Sequence, residues 1–319
     1  MILPAAPDVL AAAHRLRGVI HRTPCTLSAP LTARVGTDCF IKWESAQITG
    51  SFKLRGAFNA LLTMSPEARR RGVVAASAGN HGLGIAYAAR TLGIRAKVFV
   101  PCTAPMVKRE GIAAMGAQVD ASQPDYDHAH AAAVSCAEQE GMAFVSPSTG
   151  RPLLAGQGTV GLEILEELPA VRTLVVPVGG GGLVGGIAAL VRAVAPAVRI
   201  VGVQSDQTDA MARSLAAGRV VPVAVPPTLA DGLAGQVDDT GLAIGRVALD
   251  DIVTVTEREI ASAIAWLSRE HDARVEGSGA VATAALLHGR VSALAGPVAV
   301  IVSGGNIDEA RWRGIVDDG

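Results

Sequence analysis

Five short β-branched runs punctuate this chain of 319 residues: Val73–Ala76, Ala96–Val100, Leu174–Val178, Arg199–Val203 and Val298–Val302. Each gives way to a turn containing Gly, Ser or Pro and then to Ala/Leu-rich helical periodicity. Runs of four or five residues that are apolar but for Lys97 and Arg199 suit strands covered on both faces. Their alternation with helices predicts an α/β fold of mostly parallel sheet flanked by helices. Cys39–Glu44 reads as a further strand, and Ser51–Met64 as a helix starting just after Gly50. Asp8 is placed as the N-cap of a helix running to about Ile20, while Pro124–His130 and Pro147–Pro152 read as loops. Pro222–Pro227 reads as an extended segment. The length suits about two domains.

Composition narrows the partners. With 28 Lys+Arg against 29 Asp+Glu and a net charge of −1, there is no basic surplus for neutralising phosphates, and aromatics at 3% are too few for a base-stacking platform. No nucleic-acid partner is expected. The uncharged stretch Thr173–Val191 holds six glycines and Pro177, and divides into strand, turn and helix rather than a membrane span. The N-terminus lacks the basic start of a signal peptide, and Cys25, Cys39, Cys102 and Cys136 form no C-x-x-C pair. A cytoplasmic protein with reduced thiols is expected, with no membrane partner. Only Lys42, Lys53, Lys97 and Lys108 offer a primary amine; every other basic residue in the Lys+Arg total is Arg.

Glycine turns close three of the runs, at Ser77–Gly82, Gly179–Gly182 and Ser303–Asn306. Ligands of open α/β sheets sit beyond the carboxyl ends of the strands, so these turns are expected to converge. Gly179, Gly180, Gly181 and Gly182 lack Cβ atoms, which lets successive N–H groups face one anion at a helix N-terminus, and a phosphate is the expected guest. Gly180-x-Gly182-x-x-Gly185 with Asp206 downstream also matches a dinucleotide fingerprint, which leaves an NAD(P)-binding oxidoreductase open. Lys53 falls in the first turn of its helix, where the positive end of the dipole and desolvation beside Phe52 both disfavour the ammonium form. A lysine so poised suits Schiff-base chemistry, although a lone lysine reads as a solvated surface residue. Ser77 and Asn80 offer donors for a carboxylate at a helix start. His81 reads there as a ring held in a hydrogen-bond network rather than a base. The cluster from Asp125 to His130 has no tight ligand spacing and reads as a loop or helix start, so no metal is expected there.

Ser51-Phe52-Lys53, Ser77-Ala78-Gly79-Asn80-His81, the tetraglycine turn and Ser303-Gly304-Gly305-Asn306 stand in this order, and together they resemble the fold-type II pyridoxal-phosphate enzymes. The similarity is to the serine/threonine dehydratases and their serine racemase relatives. It runs from about residue 8 to 308 and takes in AGQGTVGLEILEEL and Ala230-Asp231-Gly232. The resemblance implies a tryptophan synthase β-like, two-domain fold. Residues 1–67 and 149–319 would form a large cofactor-binding domain, and 68–148 a small domain closing over substrate. It implies that Lys53 bonds covalently to pyridoxal phosphate and takes the substrate Cα proton, with Phe52 against the ring and Asn80 on its phenolic oxygen. Gly179 to Gly182 would hold the phosphate, and Ser303 would face the pyridine nitrogen. Ser77, Asn80 and His81 would bind the carboxylate of a small amino-acid substrate, with Glu276 nearby but not in contact. A homodimer is implied.

Two departures refine the expectation. The racemases place a second serine where this chain has Ala78, which transfers no proton, so elimination is expected over racemisation. Some relatives bind a divalent cation through carboxylates where this chain has Gln204 and Ala210; only Asp206 and Asp209 lie near, and no metal is expected. The expected reaction is loss of water from threonine or serine, giving a 2-oxo acid and ammonia. Other hydroxy amino acids (a hydroxyaspartate, a phenylserine, a hydroxyectoine breakdown product), racemisation and a non-catalytic amino-acid-binding role remain alternatives. The chain runs only a short way past Asn306, so no C-terminal regulatory domain and no feedback by isoleucine are expected.

Overall fold

The computed structural model describes residues 3–317 and contains two mostly parallel sheets wrapped by helices. The strands are β1 (Cys25–Leu27), β2 (Cys39–Trp43), β3 (Val73–Ala76), β4 (Ala96–Pro101), β5 (Gln118–Gln123), β6 (Ala143–Phe144), β7 (Thr173–Pro177), β8 (Arg199–Ser205), β9 (Asp251–Val255) and β10 (Val298–Val302). The six-stranded sheet has the order β1-β2-β10-β7-β8-β9, parallel except for β1 against β2; the four-stranded sheet is β5-β4-β3-β6, all parallel.

Alternation along single strands shows why their sequences are apolar throughout. In β7, Leu174 and Val176 join one buried cluster with the helices Arg151–Glu167 and Gly182–Val194, while Val175 joins another with Glu257–His271 and Gly277–Leu287. β10 divides the same way, Ala299 and Ile301 against Val298, Val300 and Val302. The small sheet repeats the pattern, with Val73 and Ala75 on one face and Val74 and Ala76 on the other. The helix Lys53–Leu62 packs Leu54, Phe58 and Leu61 into the cluster beneath that small sheet, so it lies along the seam between the two sheets.

Three sequence expectations are corrected. The first helix is Ala6–Leu16. Asp8 sits at its third position and accepts the Ala5 N–H at 2.7 Å, so it closes the helix start from inside rather than capping it. The segment at 124–130, read as a loop with a helix start as the alternative over Asp125–His130, is the helix start: Tyr126–Glu140 begins at once, because the Asp125 carboxylate accepts the His128 N–H at 2.9 Å. The helix expected from Ser51 begins at Lys53, since Ser51 pairs with Gly304 in an antiparallel bridge. No described helix is long and apolar enough to cross a membrane.

Candidate active site

The turns after β3, β7 and β10 are linked to one another through residues 49–53 and 147–148. The Phe52 N–H donates to the Ser303 carbonyl at 3.1 Å, and the Gly305 N–H to the Gly50 carbonyl at 2.9 Å. Gly50 has φ +72, and an added Cβ would strike the Asn306 side chain; backbone freedom and close approach both call for glycine there. Asn306 Nδ2 donates to the Thr49 carbonyl at 2.8 Å and to Asn80 Oδ1 at 2.6 Å. Asn80 Nδ2 donates in turn to Glu276 Oε1 at 2.7 Å. Lys53, Asn80 and Ser303 are thereby brought into one region, as their motifs predicted.

Lys53 is the first residue of its helix, and its Nζ donates to the Pro147 carbonyl at 2.7 Å and lies 5.2 Å from the centre of the Phe52 ring. Burial, opposed by the Glu276 carboxyl, brings its amine down to about 8. The other amines are engaged: Lys42 with Glu163 at 2.7 Å, Lys97 with Glu140 at 3.5 Å and Lys108 with Asp231 at 3.2 Å. Glu276 is buried, and its carboxyl is raised to about 8 by desolvation and then by Asp231, against the opposing pull of Asn80, Lys108 and Lys53. His81 is buried with Nε2 at 2.9 Å from the Val145 carbonyl, and burial followed by the Lys53 charge lowers it to about 3. Its ring is therefore a neutral structural anchor. Ser77 is half-buried and its Oγ accepts the Gly79 N–H at 3.2 Å. Ser303 is buried and its Oγ donates to the Ser278 carbonyl at 3.2 Å.

These shifts set a pH profile for the cofactor-free protein. The folded state keeps the Glu276 proton between 4.5 and about 8, where the unfolded chain has lost it, so stability falls as pH rises through that window. Lys53 loses its proton near 8 when folded but only near 10.5 when unfolded, so stability recovers across that second window. Denaturant midpoints measured against pH are expected to fall less steeply on the acid side in Glu276→Gln. An unchanged acid slope in that variant would exclude Glu276 as its source.

The tetraglycine turn fits a phosphate. Among the described residues, Gly179, Gly180 and Gly181 donate no backbone hydrogen bond to the chain, and no side chain caps the helix Gly182–Val194 that follows. Ser148, next to the Pro147 that holds Lys53, packs across the turn: a Cβ on Gly180 would lie 2.9 Å from its Oγ, and one on Gly182 would lie 3.0 Å from its Cα. Unsatisfied N–H groups at a helix start, hemmed so closely that only glycine fits, form an anion cradle within reach of a lysine. Gly182→Ala, which presses on backbone rather than on a movable side chain, is expected to raise the pyridoxal phosphate dissociation constant about tenfold or more. Titration of the apoprotein checks it.

Three features had no role assigned from sequence. One is the Pro147–Ser148 contact, made by backbone that no motif marks. Another is the Asn306 side chain, inside a recognised motif but read only for its neighbour Ser303. The last is an ion cluster under the Lys53 helix. There Arg55 grips Glu44 (2.7 and 2.8 Å) and Glu163 (2.6 and 2.8 Å), while Lys42 Nζ donates to Glu163 at 2.7 Å and to the Thr23 carbonyl at 2.6 Å. Burial would depress the Arg55 guanidinium, yet its two carboxylates raise it, and Glu163 is held low by Arg55 and Lys42 despite burial. Charged residues spaced along an apolar helix, as Glu163 is in AGQGTVGLEILEEL, were the available signal. Elsewhere, Asp209 pairs with Arg213 at 2.8 Å and Asp206 accepts from Gln207 at 3.0 Å, and no potential metal cluster occurs among the described residues.

Comparison with known proteins agrees with this geometry. The family model described as "Pyridoxal-phosphate dependent enzyme" matches residues 16–304. An L-threonine ammonia-lyase of Thermotoga maritima is 42% identical over 313 residues, covering 98% of this chain and 78% of that protein. The catabolic L-threonine dehydratase of Escherichia coli K12 is 39% identical over 313 residues, covering 97% and 95%. The structure of maize serine racemase superposes with a TM-score of 0.93 at 32% identity, covering 99% of this chain and 98% of that one. The relatives are pyridoxal-phosphate enzymes rather than NAD(P)-binding oxidoreductases, and the chain belongs to the family of pyridoxal-phosphate-dependent enzymes.

Proposed function

We propose that this enzyme eliminates water from threonine or serine, releasing a 2-oxo acid and ammonia. The observation that carries the reading is Lys53: an amine lowered to about 8 and held on the Pro147 carbonyl, next to the Ser148 that packs against the glycine turn, in a chain whose relatives are named threonine ammonia-lyase and threonine dehydratase. When bound, pyridoxal phosphate supplies the aldehyde that takes the substrate amine and the ring that draws electrons from Cα.

The protein's part is positioning and proton transfer. Lys53 Nζ would hold the cofactor's aldehyde carbon and, as the free amine, would take the proton from the substrate Cα. The N–H groups of Gly179 to Gly182 would hold the phosphate, Phe52 would pack against the ring and Asn80 would donate to the phenolic oxygen. The Ser303 hydroxyl would face the pyridine nitrogen and, being neutral, would leave that nitrogen weakly protonated, which favours prompt loss of the β-hydroxyl. Ser77, Asn80 and the helix start at His81 receive the substrate carboxylate; the His81 ring, neutral and tied to Val145, contributes through its backbone N–H rather than as a cation. Residues 68–148 close over the substrate, and the enzyme works as a homodimer in the cytoplasm.

Ala78 favours elimination over racemisation, because a methyl group offers no proton. Incubation with L-threonine and L-serine is expected to release 2-oxo acid far faster than it forms the D-isomer, read by keto-acid derivatisation and chiral chromatography. Faster D-isomer formation, or keto acid from neither substrate, refutes the reading.

A further inference from the structure

Asn80 can donate to a cofactor oxygen in only one of its two amide orientations. Two N–H groups and one carbonyl oxygen share the end of the side chain, and a half-turn would exchange them at little steric cost. The hydrogen bonds around it remove the ambiguity. The Thr49 carbonyl only accepts, so the Asn306 atom 2.8 Å from it is the amide nitrogen. That same nitrogen lies 2.6 Å from Asn80, and since both its protons point outward as donors, Asn80 must answer with its oxygen. The Asn80 nitrogen is then turned to the other side, where one proton goes to Glu276 Oε1 at 2.7 Å and the second stays unspent. Glu276 is held in place by its own backbone, its N–H donating to the Gly304 carbonyl at 3.3 Å, and Gly304 lacks the Cβ that would collide with the Glu276 carboxyl.

We propose that this directional chain, from the Thr49 carbonyl through Asn306 and Asn80 to Glu276, makes Asn306 a positioning residue that keeps a donor rather than an acceptor of Asn80 toward the cofactor's phenolic oxygen. The proposal rests on the reading that Asn80 serves that oxygen. Asn306→Asp replaces the donating amide with acceptors, so the Asn80 amide turns to donate to it and brings its oxygen to the cofactor side. Asn306→Ala removes the constraint without enforcing the turn.

The test compares the visible absorbance maximum and the pyridoxal phosphate dissociation constant of holoenzyme variants. Asn80→Ala is expected to shift the maximum. Asn306→Asp is expected to shift it in the same direction and to weaken cofactor binding roughly three- to tenfold, the range for one lost hydrogen bond. Asn306→Ala should shift less, and the Asn80→Ala/Asn306→Asp pair should match Asn80→Ala, since Asn306 acts through Asn80. If Asn80→Ala itself leaves the spectrum of the parent, the assignment of Asn80 to the phenolic oxygen fails. If Asn80→Ala shifts the maximum but both Asn306 variants keep the parent's spectrum and affinity, the positioning role is overturned. Asn306→Ala alone decides the matter should the Asp variant not fold.

Discussion

Lys53→Ala removes the visible absorbance of the holoenzyme and lowers keto-acid release by at least about 10³-fold, in the range lost with a positioned proton-transfer group. No other lysine can take over. Lys42 is buried against Glu163 and the Thr23 carbonyl, and Lys97 and Lys108 pair with Glu140 and Asp231. Lys53→Arg is equally inactive, because a guanidinium stays protonated and forms no Schiff base. Borohydride reduction followed by peptide mass spectrometry should place the label on Lys53 in the parent and nowhere in either variant. Retained colour together with retained keto-acid production in Lys53→Ala would remove Lys53 from the mechanism.

Arg55→Met costs about 3–5 kcal/mol of stability, the usual consequence of stripping a counter-charge from a buried pair. Arg55 and Lys42 balance Glu44 and Glu163, all of them buried. Without Arg55 the Lys42 ammonium is left against the buried Glu44 and Glu163 carboxylates, with Glu167 3.8 Å away at the partly exposed edge. Adding Glu44→Gln restores the balance, leaving the Lys42–Glu163 pair at 2.7 Å intact, so the double variant is expected to be more stable than Arg55→Met alone. Chemical denaturation of the three proteins reads this directly, and a double variant weaker than the single one would sink the charge-balance account. The cluster joins β2, the Lys53 helix and the helix Arg151–Glu167, so its worth lies in orientation more than in net free energy.

Legibility in the sequence followed burial. The six strands expected from apolar runs are β2, β3, β4, β7, β8 and β10, each with a neighbour on both sides in its sheet. The four strands not expected, β1, β5, β6 and β9, are the sheet edges. β5 reads Gln-Val-Asp-Ala-Ser-Gln and is nowhere fully buried, so hydrophobic periodicity gives it no mark. The site divides in a similar way. Of the proposed site, Lys53, the glycine turn and Ser303 can be picked out from the sequence because chemistry and backbone geometry restrict the residue type. Asn306 and Arg55 act through partners distant in sequence, Thr49 and Glu163 among them, and no local pattern records such a pairing. Asp8 and Asp125 show the limit at finer scale, since one carboxylate can close a helix start from the cap or from the third position.

β10 occupies the middle of the large sheet, between β2 and β7, although it follows both of them in the chain. While the chain is still being translated, β2 and β7 therefore wait side by side with a gap between them, each presenting an open backbone edge. The small sheet has no such delay, because all of its strands lie between residues 73 and 144. Topology thus orders the synthesis: every strand of the small sheet leaves the ribosome before the strand that closes the large one. A chain released short of residue 298 would carry all the strands of the small sheet and two unpaired edges on the large one, and such edges invite pairing with other chains.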